Sequence, residues 1–160
     1  RPEPTAPTPG FMNTAYLPSD TVTEAPEVFI NEVQTVGVDW IEIYNPTTET
    51  ADISGWTLRD SDDDHLMVMP ASSTLKPGDF LSISQGAGTL CEPYTFSFGL
   101  GDDDMARLFN PRGQLVDVLA WEAGQTAEGM SVGRSPDGGD RVTSLSSTTQ
   151  GAPNAAPISP

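Results

Sequence analysis

Residues 39–58, DWIEIYNPTTETADISGWTL, constrain the fold more than any other stretch of the chain. Trp40, Glu42 and Tyr44 alternate with Ile41 and Ile43, the period of two that sends successive side chains to opposite faces of a strand. The pattern predicts a sheet with one face buried. Asn45-Pro46 ends the run, because proline has no N–H for a ladder and turns the residue before it away from helix. Ile53 opens a second short run, Ser54-Gly55 breaks it, and Trp56 and Leu58 resume one face. Strand, turn, strand, turn, strand leaves no room for a helix.

The rest of the chain repeats this grammar. Apolar or β-branched runs fall at 28–33, 40–44, 56–59, 65–69, 80–84, 94–98, 106–110 and 114–121. Turn signals separate them, notably Lys76-Pro77-Gly78-Asp79 and the hairpin-like Pro111-Arg112-Gly113. Fifteen glycines and fifteen prolines in 160 residues fit many turns and no long helix. Short strands at even spacing predict an all-β sandwich or barrel. The expected core is Ile41, Ile43, Trp56, Leu58, Leu81, Ile83, Leu108 and Val118. Residues 131–143, SVGRSPDGGDRVT, read as loop with one short strand, and Cys91, the single cysteine, as a buried apolar side chain.

Two regions are expected, an arm at 1–26 and a folded domain at 27–160. RPEPTAPTPG (1–10) favours extended polyproline conformations and has too little apolar surface to fold alone. FMNTAYL (11–17) differs, since Phe11, Met12, Tyr16 and Leu17 are apolar anchors for a partner. Such a segment is expected to pair with a sheet edge, in this molecule or in a second copy, where it would build a homo-oligomer or fibre. The chain begins at Arg1, which fits either a removed signal peptide or a start within a longer protein.

The net charge of −16 excludes more than it proves. Nucleic-acid binding runs on phosphate neutralisation by Lys and Arg, and here one lysine and six arginines are scattered along the chain. Nucleic acid is therefore not an expected partner. No apolar run approaches the roughly 18 residues of a membrane span. The acidity fits solubility through self-repulsion, a saline habitat, or divalent cation binding.

The central run resembles that of the lamin-tail domain, an immunoglobulin-like β-sandwich found in nuclear lamins and in many prokaryotic secreted proteins. Further motifs follow in the family's order: INEV (30–33), DISGWTL (52–58), LKPGDFL (75–81), FGLG (98–101), GQLVDVLAW (113–121) and TTQGAPN (148–154). Gln150 stands before Gly151 where the family's closing motif usually has proline. The resemblance implies an immunoglobulin-like sandwich and protein contacts. Its prokaryotic members often accompany secreted or membrane-associated hydrolases, so it also implies a secreted or cell-surface location.

The chain offers little for catalysis. His65 and Cys91 are its only histidine and cysteine, and no nucleophile elbow, zinc motif or phosphate loop occurs. Two acidic loops carry the remaining chemistry, one with Asp60, Asp62 and Asp64, the other with Asp102 and Asp104. Alternate carboxylates resemble the start of a calcium loop, but His65 stands where such a loop needs glycine, and Ala71 where it needs its closing glutamate. The loops are either solvated turns or, brought to one end of a sandwich, ligands for calcium. Trp40, Trp56 and Trp121 are expected in the core rather than on a sugar platform. The reading is a non-catalytic structural module that joins proteins at a cell surface. Its alternative is a calcium- or glycan-binding accessory module of a secreted enzyme.

Overall fold

The alternation at 40–44 becomes a central strand. In the computed structural model, which describes residues 27–159, twelve strands form and no helix occurs among the described residues. They are β1 (Phe29–Gln34), β2 (Trp40–Tyr44), β3 (Ala51–Asp52), β4 (Thr57–Arg59), β5 (Met67–Val68) and β6 (Thr74–Leu75). The second half adds β7 (Phe80–Gln85), β8 (Thr95–Phe96), β9 (Asp104–Phe109), β10 (Leu115–Trp121), β11 (Ser131–Arg134) and β12 (Val142–Leu145). One six-stranded sheet runs β12-β11-β1-β2-β7-β8, and a four-stranded sheet runs β10-β9-β4-β5. The pair β3-β6 closes one side. Of the sandwich or barrel that the strand spacing predicts, the sandwich forms, and it is immunoglobulin-like as the resemblance implies. The N-terminal arm, with Phe11, Met12, Tyr16 and Leu17, lies outside the described residues.

The core lies between the two large sheets. Ile30, Val33, Ile41, Ile43, Ile83 and Val132 come from one sheet, Leu58, Ala106, Leu108 and Leu119 from the other, and all are buried. Trp40, Trp56 and Trp121 are buried too, as expected of side chains that each carry a large apolar area. The Trp121 indole N–H donates to Gly101 O at 2.9 Å, which fastens the glycine corner of FGLG beneath β10.

The breaks in the sequence act as its residues require. Asn45 is buried, and its side-chain NH2 donates to Glu49 O and Leu75 O at 2.8 and 2.9 Å. Its Oδ1 accepts from Thr47 N at 3.0 Å. One asparagine thus ties the turn after β2 to the turn before β7. Gly78 supplies the positive φ of 75° that the second turn needs.

The structure corrects four expectations about the strands. Val118 is 42 % exposed, because a bulge between Leu115 and Asp117 adds one residue to β10 and turns Leu119 inward in its place. Leu81 is only partly buried against the core. Residues 131–143 hold a buried strand, β11, and the start of another, β12, instead of one short strand in a loop. The glycines of this stretch suggest loop, yet the bare backbone of Gly133 is what the close packing of β11 needs. Finally, β2 is buried on both faces, since Glu42 is as inaccessible as Ile41 and Ile43.

A buried ion pair crosses between the sheets. Arg134 on β11 grips Asp117 on β10 at 2.8 and 3.0 Å, and its Nε donates to Ile30 O at 2.9 Å. Asp117 in turn accepts from Ile30 N at 2.7 Å. Every strong donor and acceptor here has a partner, the condition under which a buried pair fixes geometry rather than destabilising the fold.

Candidate functional site

Three surfaces carry chemistry: the acidic loops, the outer face of the six-stranded sheet, and the outer face of the four-stranded sheet.

The fold brings the two acidic loops together. Asp104 Oδ1 accepts from Ser61 N at 3.1 Å and from Met105 N at 2.8 Å, while its Oδ2 accepts from Gly101 N at 3.0 Å. Burial opposes ionisation of Asp104, but these hydrogen bonds outweigh it and hold its pKa below the usual value. Asp60 is buried, accepts from Asp62 N at 2.8 Å, and meets His65 Nδ1 at 2.7 Å. That hydrogen bond, with the charges of Asp60, Asp62 and Asp104, raises the His65 pKa against partial desolvation. Asp62 accepts from Asp64 N at 2.9 Å, and Asp62, Asp64 and Asp102 are exposed. A pocket of about 510 Å³ lies beside the loops, lined by Ser61, Asp103, Asp104 and Trp121. Among the described residues no three His, Cys, Asp or Glu are gathered as a metal ion would need.

His65 and Cys91 stay on separate loops. His65 stacks on Phe98 at 5.0 Å and commits Nδ1 to Asp60. Cys91 is exposed, contrary to the expected burial, because it lies in the loop between β7 and β8 rather than in a strand.

The outer face of the six-stranded sheet holds what the sequence reading missed. Register places Glu32 of β1 directly opposite Glu42 of β2, and both are fully buried. Residues 149–154 cover them. Thr149 donates to Glu32 through its N–H at 3.0 Å and its hydroxyl at 2.7 Å, and Ser131 adds a third donor. The Gly151 N–H donates to Glu42 Oε2, and Gln150 reaches Ser84 at 3.3 Å. Asn154 fastens the end of the segment, donating to Asn31 O at 3.0 Å and Arg134 O at 2.8 Å. Gly133 makes the approach possible, since a Cβ there would stand 2.7 Å from both Asn154 Nδ2 and Asn31 O.

Two carboxylates cannot both ionise cheaply in such a place. Burial raises the pKa of Glu32 against the hydrogen bonds from Ser131 and Thr149. Burial also pushes Glu42 up to about 8, with the Gly151 N–H pulling down and the charges of Glu32 and Asp137 pushing further up. Glu42 is therefore mostly protonated at neutral pH. Its Oε1 is, among the described residues, the one buried side-chain oxygen or nitrogen without a hydrogen-bond partner. A signal for the pair existed in the sequence: glutamate is depleted in strands, yet INEV and WIEI each carry one mid-strand.

The outer face of the four-stranded sheet is open. Pairing aligns Leu115, Phe109, Thr57 and Val68 in one row across it, and Val118, Arg107 and Arg59 in the next. The guanidinium carbons of Arg59 and Arg107 lie 5.8 and 5.7 Å from the centre of the Phe109 ring, within cation–π range. Arg107 Nε donates to Asp60 O at 2.7 Å, and its Nη2 pairs with Asp63 at 2.9 Å. A pocket of about 340 Å³ opens between Thr57, Arg59, Asp63, Arg107, Phe109 and Gly113.

A model of the Lamin Tail Domain family matches residues 21–123, which take in β1 through β10. No curated protein matches the chain.

Proposed function

The chain belongs to the Lamin Tail Domain family, and we propose that it is a non-catalytic module of the extracellular space or cell surface that joins proteins, its own copies among them. The lamin tail domain is a non-enzymatic, immunoglobulin-like interaction module, and this membership is the observation that carries the reading. The open, apolar and arginine-bearing face of the four-stranded sheet supports it, because an exposed apolar surface rimmed by charge suits a protein contact. The cell-surface placement rests on the chain's likeness to secreted prokaryotic members. Assembly through residues 11–17 rests on their four apolar anchors in an otherwise proline-rich arm. Among the described residues no helix is long and apolar enough to cross a membrane.

Light scattering across a concentration series tests the assembly. The full chain is expected to exceed its monomer mass of 17.0 kDa as concentration rises. A full-length variant with Phe11, Met12, Tyr16 and Leu17 all changed to Ser is expected to remain monomeric. Equal masses for the two chains at every concentration would end the assembly role of the arm.

A further inference from the structure

We propose that the outer face of the four-stranded sheet receives residues 11–24 of a second copy of this chain. The inference rests on the reading above that copies assemble through their N-terminal arm, and it names the surface on which they meet.

The face is built for a ligand that is both apolar and acidic. Leu115, Val68 and Val118 are 55 %, 53 % and 42 % exposed, and they flank Phe109 with its two arginines. In a chain of net charge −16, two arginines here outnumber the one carboxylate, Asp63, that lines the same pocket. The arginines are not used up. Arg59 donates to the carbonyl of Asp63, and among the described residues no carboxylate pairs with it. Arg107 already holds one carboxylate, that of Asp63, whose side chain is 80 % exposed. Asp63 is the exposed partner of that pair, so an incoming carboxylate can take its place at little cost to the fold. Guanidinium groups over an aromatic ring suit a planar carboxylate better than a lysine would.

Residues 11–24, FMNTAYLPSDTVTE, have the matching chemistry. Four apolar anchors come first, Asp20 and Glu24 follow, and no cation lies between. Extended chain from Leu17 to Asp20 spans roughly 10 Å, enough to reach from the Phe109 row to the arginine row one pleat away. Nucleic acid fits poorly, because phosphate binding needs many cations and the remainder of the surface repels it.

The proposed assembly of copies assigns the donor to a second chain. The arm joins the sandwich at Glu27, which lies beside Asn110, Gln114 and Leu115 at the β9–β10 turn. Leu115 belongs to the receiving face, so the arm leaves the sandwich at the rim of that face, and the arm and the face are unlike surfaces. A contact between unlike surfaces does not close on itself, so each copy can donate one arm and receive another.

Photo-crosslinking of the full chain tests this. Benzoylphenylalanine replaces Val118, and 15N-labelled and unlabelled chains are mixed at a concentration where light scattering shows association. The expected product joins position 118 to a peptide within residues 11–24, with mixed-isotope pairs present. Arg59→Glu should lower its yield about tenfold, the effect of losing a charge-assisted contact, and Glu24→Lys in the same chain should restore part of it. Circular dichroism checks that the variants fold. Crosslinks confined to a single copy, crosslinks to another segment, or none would overturn the proposal while leaving arm-driven assembly intact. A chain that stays monomeric throughout would overturn both.

Discussion

The two outward faces of this sandwich solve opposite problems. On the six-stranded sheet a polypeptide segment lies over two glutamates and supplies N–H and hydroxyl donors to both. On the four-stranded sheet only the loop of Asp60 and Asp63 meets the arginine row, at Arg59 and Arg107, and beside it valine and leucine side chains stand in solvent. The first face is finished within the chain, at the expense of a buried protonated carboxyl. The second is left unfinished, and an unfinished apolar face is what a partner can complete. The difference teaches that polarity does not tell which face of a sheet is outside: here the acidic face is buried and the apolar one is open.

The largest effect expected from this contrast is at Gly133. Its missing Cβ would stand 2.7 Å from the Asn31 carbonyl, a backbone atom held in the β1 bulge, and 2.8 Å from Leu145. Gly133→Ala should therefore cost about 3 kcal/mol or more, in the range of overpacked sites. Val118→Ala on the open face should cost under about 0.5 kcal/mol, as surface changes do. Denaturant unfolding of both variants decides the matter. Similar losses at the two positions would break the distinction between a closed and an open face.

The next effect is pH dependence, with its sign set by the buried acids. Glu42 and Glu32 have raised pKa values in the fold, so between about 4.5 and 8 the folded chain binds more protons than the unfolded one. The contribution of Glu42 is fully present below the unfolded carboxylate pKa and is lost as pH rises toward 8, and that of Glu32 is lost as pH rises through its own raised pKa. The raised His65 acts in the same sense near neutrality, its contribution fading as pH climbs through its folded pKa. Melting temperature should fall from pH 5 to pH 8. Glu42→Gln keeps the shape and an acceptor for the Gly151 N–H but cannot ionise. It should flatten the profile and stabilise the chain at pH 8 by about 2 kcal/mol, a cautious fraction of the linkage for a shift of this size. An unchanged slope in the variant would mean that Glu42 ionises freely.

How much of this was legible beforehand follows from which interactions are local. Strands β1, β2, β7, β9 and β10 were readable because alternation and turn residues act over a few positions. Their number and spacing implied a sandwich or barrel, and the lamin-tail motifs chose the sandwich. The bulge that exposes Val118 was not readable, because it is fixed by pairing with β9 and leaves no mark in the alternation of β10. The two-residue strands β3 and β6 are too short to show a period. The glutamate pair was hidden for a further reason. Glu42 in WIEIY looks like the solvent side of a strand until Gly151, 109 residues away, is placed over it. The lid comes from beyond residue 123, where the family match ends. The acidic loops were visible as charge, but their use was not, since Asp60 and Asp104 spend oxygens on backbone N–H groups.

The smallest effect is expected at those loops. Three backbone N–H groups already occupy the Asp104 carboxylate, and His65 and Asp62 occupy that of Asp60. Calcium wants six to eight oxygens and would have to displace several of these bonds. Exposed Asp62, Asp64 and Asp102 remain free to move toward an ion, at the cost of ordering their loops. At millimolar calcium, a site with a dissociation constant near millimolar adds only about 0.4 kcal/mol by mass action. Calorimetric melting with calcium and with magnesium at matched ionic strength should therefore differ by about 2 °C at most. A much larger rise with calcium alone, abolished by Asp62→Asn with Asp64→Asn, would show that the loops rearrange into a true cation site. It would also add a third functional surface to the two that the sheets present.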